Sequence, residues 1–306
     1  MVKEAKKVTP PNGGDEYLFG FANLQRDIAF AIKVEQGIKA NAKAAGLELA
    51  VADNQLSGQV ALQNAQSFVT RNMDYAIEFQ TDVEFGPQVM QQFNQANIPV
   101  IAIDIPMPGA IFFGVNNPRS GFMGGSYLAQ AALAKWGDEV QNGYFVIGEL
   151  PQSGAIPALR TAGQREGFLA SAEGFPEDQI IGIDTKNTLE ESFQQMSNVL
   201  GRIPKGVPII VTAINDQSAT GMLRAIERAG RSEDALVVGL GADEIKTLVN
   251  EEKFIASVGS FPERYGNYII PLALMQLAGY EVPDAVLVKH EMVTPMNVCD
   301  YYDQDC

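Results

Sequence analysis

The chain has 306 residues, 46% of them hydrophobic and 19% charged; that length exceeds one ordinary core and predicts two domains of about 150 residues each. Its 37 acidic residues stand against 22 basic ones, a formal charge of −15, which argues against nucleic acid and anionic membrane surfaces, because both require clustered Lys and Arg. No run reaches the roughly 20 apolar residues of a membrane helix, and the polar start (Met1 to Gly14) has no apolar signal core, so an export signal either never existed or was removed.

Tyr17 to Ala22 predicts a first strand. Val34, Ile38, Ala42 and Ala45 then recur at helical spacing, Gly46 stops the helix, and Leu47 to Ala52 begins the next strand. Ala61, Ala65, Phe68 and Val69 line a second helical face, and Tyr75 to Phe79 is a strand running into the cap candidates Thr81 and Asp82. Phe85, Val89, Phe93 and Ala96 share a face, Asn97 falls where a left-handed stop belongs, and Pro99 to Ile103 is a strand ending at Asp104. Trp136 marks a helix end, and Ile180 to Asp184 is a further strand. The same grammar returns when Val207 to Ile214 leads into Asn215 and Asp216, a helix carries Leu223 and Ile226, and Ala235 to Leu240 reaches Gly241 and Asp243. Strands alternating with amphipathic helices predict an α/β chain of doubly wound parallel sheets, with one architecture used twice. Ligands of such sheets bind beyond the carboxyl ends of the strands, where these polar residues fall. Two such sheets facing each other would enclose a cleft suited to a small molecule.

Nothing along the chain assembles into catalytic machinery. Neither a phosphate-binding G-x-x-x-x-G-K-[ST] loop nor a G-x-S-x-G elbow occurs, and Glu251 and Glu252 read as a solvated helix end. GLGAD (Gly239 to Asp243) lacks the third glycine of a dinucleotide loop. The single histidine, His290, lies in the apolar stretch AVLVKHEMV, where a structural hydrogen bond is expected. The chain is therefore read as a non-enzyme that needs no cofactor. Cys299 and Cys306 both fall in the last stretch, MNVCDYYDQDC; with no further ligand nearby zinc is not expected, and the alternatives are a short disulfide loop or two free surface thiols.

Several fragments carry a likeness in fixed order: NQANIPVIAID ending at Asp104, VNNPRSGFMGGSYLA, REGF at Arg165 to Phe168, AINDQSATGMLRAIERAG from Ala213, ALVVGLGAD from Ala235, and SFPERYG from Ser260. In these the chain resembles the ribose-type periplasmic sugar-binding proteins (periplasmic binding protein type I), which share their fold with the effector domains of lac-repressor-type regulators; no basic helix-turn-helix precedes Tyr17 to support the latter role. The resemblance implies two lobes joined by a three-crossing hinge, residues 1–117 plus 261–287 and 118–260 plus 288–306, with crossings at Asn116 to Pro118, Gly259 to Pro262 and near Lys289. It also implies an extracytoplasmic, monomeric binding protein, periplasmic or extracellular and open to lipid anchoring, which closes on a sugar and delivers it to an ABC transporter permease. The rival is a receptor ectodomain serving a chemoreceptor or sensor kinase.

Sugar hydroxyls call for carboxylate, amide and guanidinium partners and C–H faces for aromatic walls. By position, the resemblance makes Asp104 the strand-end acceptor, or a capping or hinge group, and Asn215 the polar contact of the second lobe, or an Asx turn, with Asp216 beside it as the helix cap. Phe30 matches an aromatic of the first loop, Asp27 faces the ligand or caps a helix, and Phe79 with Gln80 closes a strand end as wall or core. Gln164 stands where an arginine is usual, so Arg160, one turn earlier, is expected to supply the guanidinium. Asn187 and Ser260 match further contacts. Ile105 replaces an arginine frequent in pentose binders and Gly241 replaces an aspartate, with Asp243 placed to reach in from two residues later. These departures argue against ribose itself and point to another neutral sugar or polyol.

Overall fold

The computed structural model describes residues 10–302, with the exception of Thr81. In chain order the first elements are β1 (Leu18–Asn23), α1 (Ala29–Ala45), β2 (Glu48–Asp53), α2 (Gly58–Thr70), β3 (Tyr75–Glu78), α3 (Gly86–Gln95), β4 (Val100–Ile103) and β5 (Ile111–Gly114). There follow α4 (Asn117–Trp136), β6 (Tyr144–Glu149), α5 (Ala155–Ser171), β7 (Ile180–Asp184), α6 (Leu189–Leu200), β8 (Ile209–Ala213), α7 (Asp216–Arg228), β9 (Ala235–Gly241), α8 (Ile245–Asn250) and β10 (Phe254–Gly259). The chain ends with α9 (Gly266–Leu277), β11 (Ala285–Leu287) and β12 (Glu291–Val293).

The elements group into two units. The first comprises the chain up to Val115, Gln152–Gly154 and Phe261–Val288; the second comprises Asn116–Pro151, Ala155–Ser260 and the segment from Lys289. Gln152–Gly154 thus groups with the first unit, although the boundaries drawn from sequence put it in the second.

In the first unit the sheet order is β11-β5-β4-β3-β1-β2, parallel throughout. The alternation of side chains along a strand sorts its two faces. Phe19, Phe21, Tyr75, Ile77, Ile101 and Ile103 pack with Val34 and Ile38 of α1 and Ile269 and Ile270 of α9. Small residues such as Ala22, Ala76 and Ala102 occupy the other face, against Ala61, Ala65 and Phe68 of α2 and Val89 and Phe93 of α3. A Cβ on Gly20 would lie 2.6 Å from the Phe68 ring, so bulk on one face and its absence on the other are complementary. The left-handed stops expected of Gly46 (φ 65°) and Asn97 (φ 56°) are present, and the Gly46 N–H closes α1 onto the Ala42 and Lys43 carbonyls.

In the second unit the order is β12-β10-β9-β8-β6-β7, parallel except for the antiparallel β12 edge. Leaving aside the returning edge strands, each sheet has its second strand outermost and reverses direction of growth after its first. That reversal makes a switch point between β1 and β3 in one sheet and between β6 and β8 in the other. Helices α4 and α5 lie against each other at backbone contact: a Cβ on Gly125 would sit 1.9 Å from the Gln164 carbonyl oxygen, and one on Gly121 2.0 Å from that of Arg160. This close approach fixes Arg160 and Gln164, one turn apart on α5, relative to α4. Trp136 ends α4 as expected, with Lys135 Nζ 4.5 Å from its ring centre. Among the described residues no helix is long and apolar enough to cross a membrane.

Candidate functional site

At the carboxyl edge of the first sheet the chain repeatedly adopts conformations that a parallel strand cannot continue. Gln55 and Leu56 after β2 and Asp104 after β4 all have positive φ. Asp104 (φ 57°) turns sharply at the end of β4; its N–H donates to Phe113 O at 2.9 Å and its Oδ1 accepts from Val115 N–H at 2.8 Å. That carboxylate lies 2.3 Å from the place a Cβ on Gly114 would take, which explains the glycine. Phe79, buried at the end of β3, meets Phe30 edge to face with centroids 6.1 Å apart, and Phe30 meets Tyr265 at 5.9 Å. Phe30 stands in the first turn of α1, not in a loop, and remains half-buried. Asp27 is exposed and does not cap α1, whose N-cap residue, Ile28, makes no side-chain bond. Gln80 is buried; its Oε1 accepts from Asp82 N–H at 2.6 Å, while its Nε2 has no hydrogen-bond partner among the described residues. Asp82 caps a short turn, accepting from Glu84 N–H; the other cap candidate, Thr81, lies outside the described residues.

Two residues at this edge are absent from the sequence reading. Glu78, the last residue of β3, is 1% exposed and points to the face of alanines. Asn54 Nδ2 donates to its Oε1 at 2.7 Å, Asn64 Nδ2 in turn donates to Asn54 Oδ1 at 2.8 Å, and Glu78 Oε2 has no partner among the described residues. Burial pushes the carboxyl up to about 8 against the single amide that favours its charge. Asn23, ending β1, is fully buried and donates to Ala31 O and to Glu35, which Arg26 holds with two bonds of 2.7 and 2.9 Å. A carboxyl interrupting the apolar run YAIEF is the signal that singles out Glu78.

In the second unit, four of the expected residues gather at the ends of β7 and β8. Asn215 caps α7, its Oδ1 accepting from Ser218 N–H at 2.8 Å, and its Nδ2 donates to Asn187 Oδ1 at 2.5 Å. Asn187 is in the left-handed region (φ 61°) and buried. Arg160 Nη1 donates to Ile214 O at 2.7 Å and its Nε to Asn117 Oδ1 at 2.9 Å; Gln164 Nε2 donates to Ala213 O at 2.8 Å, leaving a buried Oε1 without a partner among the described residues. The α5 residues therefore grip the end of β8 through its carbonyls.

Asp216 is not the cap that the sequence suggested. Asn215 takes that role, and Asp216 is turned inward to accept from Ser257 Oγ at 2.6 Å and from the Asp243 N–H at 2.9 Å. Burial raises its affinity for a proton against these bonds. The two glycines of GLGAD make room for acids: a Cβ on Gly239 would lie 2.0 Å from Asp216 Oδ1, and one on Gly241 2.0 Å from Asp243 Oδ1. Asp243 thus fills the side-chain space of position 241. Ser260 N–H donates to Gly241 O at 3.0 Å, while its hydroxyl is buried without a partner among the described residues. Cys299 stands in the turn Val298–Asp300, and Cys306 lies outside the described residues. Among the described residues no three His, Cys, Asp or Glu side chains gather as a metal site would require.

Known proteins resemble the chain in sequence and in fold. A family model described as periplasmic binding protein domain matches residues 19–281. The ribose import binding protein of Escherichia coli is 28% identical over 257 residues, 83% of this chain and 82% of its own length. Among solved structures, an ABC transporter periplasmic solute-binding protein from Actinobacillus succinogenes with bound D-allose superposes with a TM-score of 0.78 at 20% identity, covering 94% of this chain and all of the other (100%). One from Bacillus halodurans with bound myo-inositol gives 0.77 at 21% identity, covering 94% and 97%. At such identities the superpositions speak for the fold, which is that of type I periplasmic binding proteins. The relatives are binding subunits of transport systems, not enzymes. With the family match running from β1 into the segment after α9, the chain belongs to the periplasmic binding protein family.

Proposed function

We propose that the chain captures a neutral sugar or polyol outside the cytoplasm, in the periplasm or at the cell surface, and presents it as a monomer to the permease of an ABC importer. Each unit offers strand-end groups suited to such a ligand: Asp104, Gln80, Phe30 and Phe79 in the first, and Arg160, Gln164, Asn187, Asn215, Asp243 and Ser260 in the second. The observation that supports this reading is the set of buried side-chain atoms at those ends that have no partner among the described residues, Gln80 Nε2, Gln164 Oε1 and Ser260 Oγ. Each costs about 1–3 kcal/mol while unpaired, and each recovers that cost against a hydroxyl. The half-buried Phe30 ring beside Phe79 supplies the apolar wall that a sugar C–H face requires.

The names of the relatives, import binding protein and solute-binding protein, favour transport over a receptor ectodomain. A ligand that touches both units favours the closed form in proportion to the extra contacts made there. A thermal-shift panel of sugars and polyols tests the ligand class: a bound ligand in excess raises the melting temperature by mass action. Solution scattering should then show compaction with the same ligand. A panel in which only charged or apolar solutes stabilise the protein would overturn the proposal.

A further inference from the structure

Three stretches of the second unit meet at His290, and each borders a point where the chain passes between units: Asn116 follows Val115, Gly259 precedes Ser260 and Phe261, and His290 follows Lys289. The ring is buried. Its Nε2 lies 3.0 Å from the Asn116 N–H nitrogen and its Nδ1 3.1 Å from the Gly259 carbonyl oxygen. A carbonyl can only accept and a backbone N–H can only donate, so Nδ1 carries the proton and Nε2 carries none. The geometry itself specifies a neutral imidazole in one tautomer.

Both anchored segments lead to residues assigned above to the ligand. Asn117, next to Asn116, holds the Arg160 Nε, and Ser260 follows Gly259. We propose that neutral His290 is a positioning residue for the ligand groups of the second unit, holding Arg160 through Asn116 and Asn117 and Ser260 through Gly259, and that its protonation at Nε2 breaks the first of these anchors while the second, from Nδ1–H to the Gly259 carbonyl, persists. This inference rests on the assignment of Arg160 and Ser260 to the ligand site.

Protonation would aim a second N–H at the Asn116 N–H across 3.0 Å, replacing a hydrogen bond with two opposed donors. Burial first, and then the positive charges of Arg160 and Arg119, hold the ring below its ordinary 6.5, with the Gly259 carbonyl pulling the other way. The charged neighbours on its own segment, Lys289 and Glu291, pair with each other. For a base whose folded value is lowered, the unfolded chain binds the proton more readily. The stabilisation is therefore complete above 6.5 and is lost as pH falls below it.

His290 is the only histidine, so its ring signals in a nuclear magnetic resonance titration are unambiguous. The ring midpoint should fall below 6.5, and the backbone amide signals of Asn116 and Ser260 should move with that same midpoint. D-Ribose, D-allose and myo-inositol are then titrated as probes from about pH 7.5 downward, and the affinity of any that binds should weaken by up to about tenfold per pH unit below the midpoint. His290→Gln offers a neutral donor and acceptor at every pH; it should keep the affinity at about pH 7.5 within a few-fold and lose the pH dependence. A midpoint at or above 6.5, amide signals that ignore the ring, or a His290→Gln protein with the unaltered pH profile would each overturn the proposal. If none of the three probes binds, the ligand class proposed above loses support, while the amide titration, which needs no ligand, still decides the role of His290. It decides equally if the variant fails to fold.

Discussion

Replacing Glu78 by glutamine isolates the cost of burying a carboxyl at the end of β3. Its ordinary value is 4.5 and burial raises it to about 8, so between these the folded chain keeps a proton that the unfolded chain releases. The unfolded state then binds fewer protons than the folded one, so stability falls with rising pH through this window by about 1.4 kcal/mol per pH unit and levels off outside it. At pH 7 the interval from 4.5 is about 2.5 pH units, an accumulated penalty of about 3 kcal/mol. Glutamine keeps an oxygen to accept from Asn54 and has no proton to lose, while its amide nitrogen takes the place of Oε2, which has no partner among the described residues. Urea unfolding of both proteins between about pH 5 and pH 8 should therefore show the variant gaining on the parent by about 1.4 kcal/mol per pH unit. Asp216, also buried with a raised value, contributes a slope of the same sign to both proteins and cancels in the difference. A difference between the two proteins that stays constant across this range would refute the reasoning.

Asp104→Asn retains an oxygen for the Val115 N–H and a side chain that tolerates φ 57°, so the unliganded melting temperature should stay nearly unchanged while the shift produced by a bound sugar or polyol disappears; Asp104→Ala should lose the shift and also about 1–3 kcal/mol of stability, read by urea unfolding. Gly125→Ala places a methyl 1.9 Å from the Gln164 carbonyl oxygen and forces α4 and α5 apart. Urea unfolding should register a loss of about 3 kcal/mol, with weakened ligand binding because Arg160 and Gln164 move with α5. Asn215→Ala removes both the α7 cap and the bond to Asn187, and should cost about 1–2 kcal/mol by the same measurement together with most of the ligand-induced thermal shift.

The candidate site was partly readable before the fold was known. Asp104, Asn187, Asn215 and Asp243 stand within three residues beyond strand ends, because a strand that stops at the carboxyl edge of a parallel sheet marks that edge in the sequence. Glu78 and Asn117 were not identified as part of that framework. Their neighbours in space, Asn54 and Arg160, are 24 and 43 residues away along the chain. The exchange of roles between Asn215 and Asp216 was equally hidden, since either residue can cap a helix and only the approach of Ser257, 41 residues on, turns Asp216 inward.

What the sequence by itself determined is what local periodicity can encode. Alternation at two residues and recurrence at three or four set out the strands and helices, Gly46 and Asn97 ended helices because they accept a left-handed backbone, and the repeated order of elements announced two sheets of like construction. Only the tertiary structure decided which groups those elements bring together: the acids that fill the space at Gly239 and Gly241, and the imidazole that joins Asn116 and Gly259 from 174 and 31 residues away. The physical reason is that secondary structure follows from contacts within a few residues along the chain, whereas burial, the loss of water and the pairing of polar groups depend on neighbours that only the packing of parallel strands supplies.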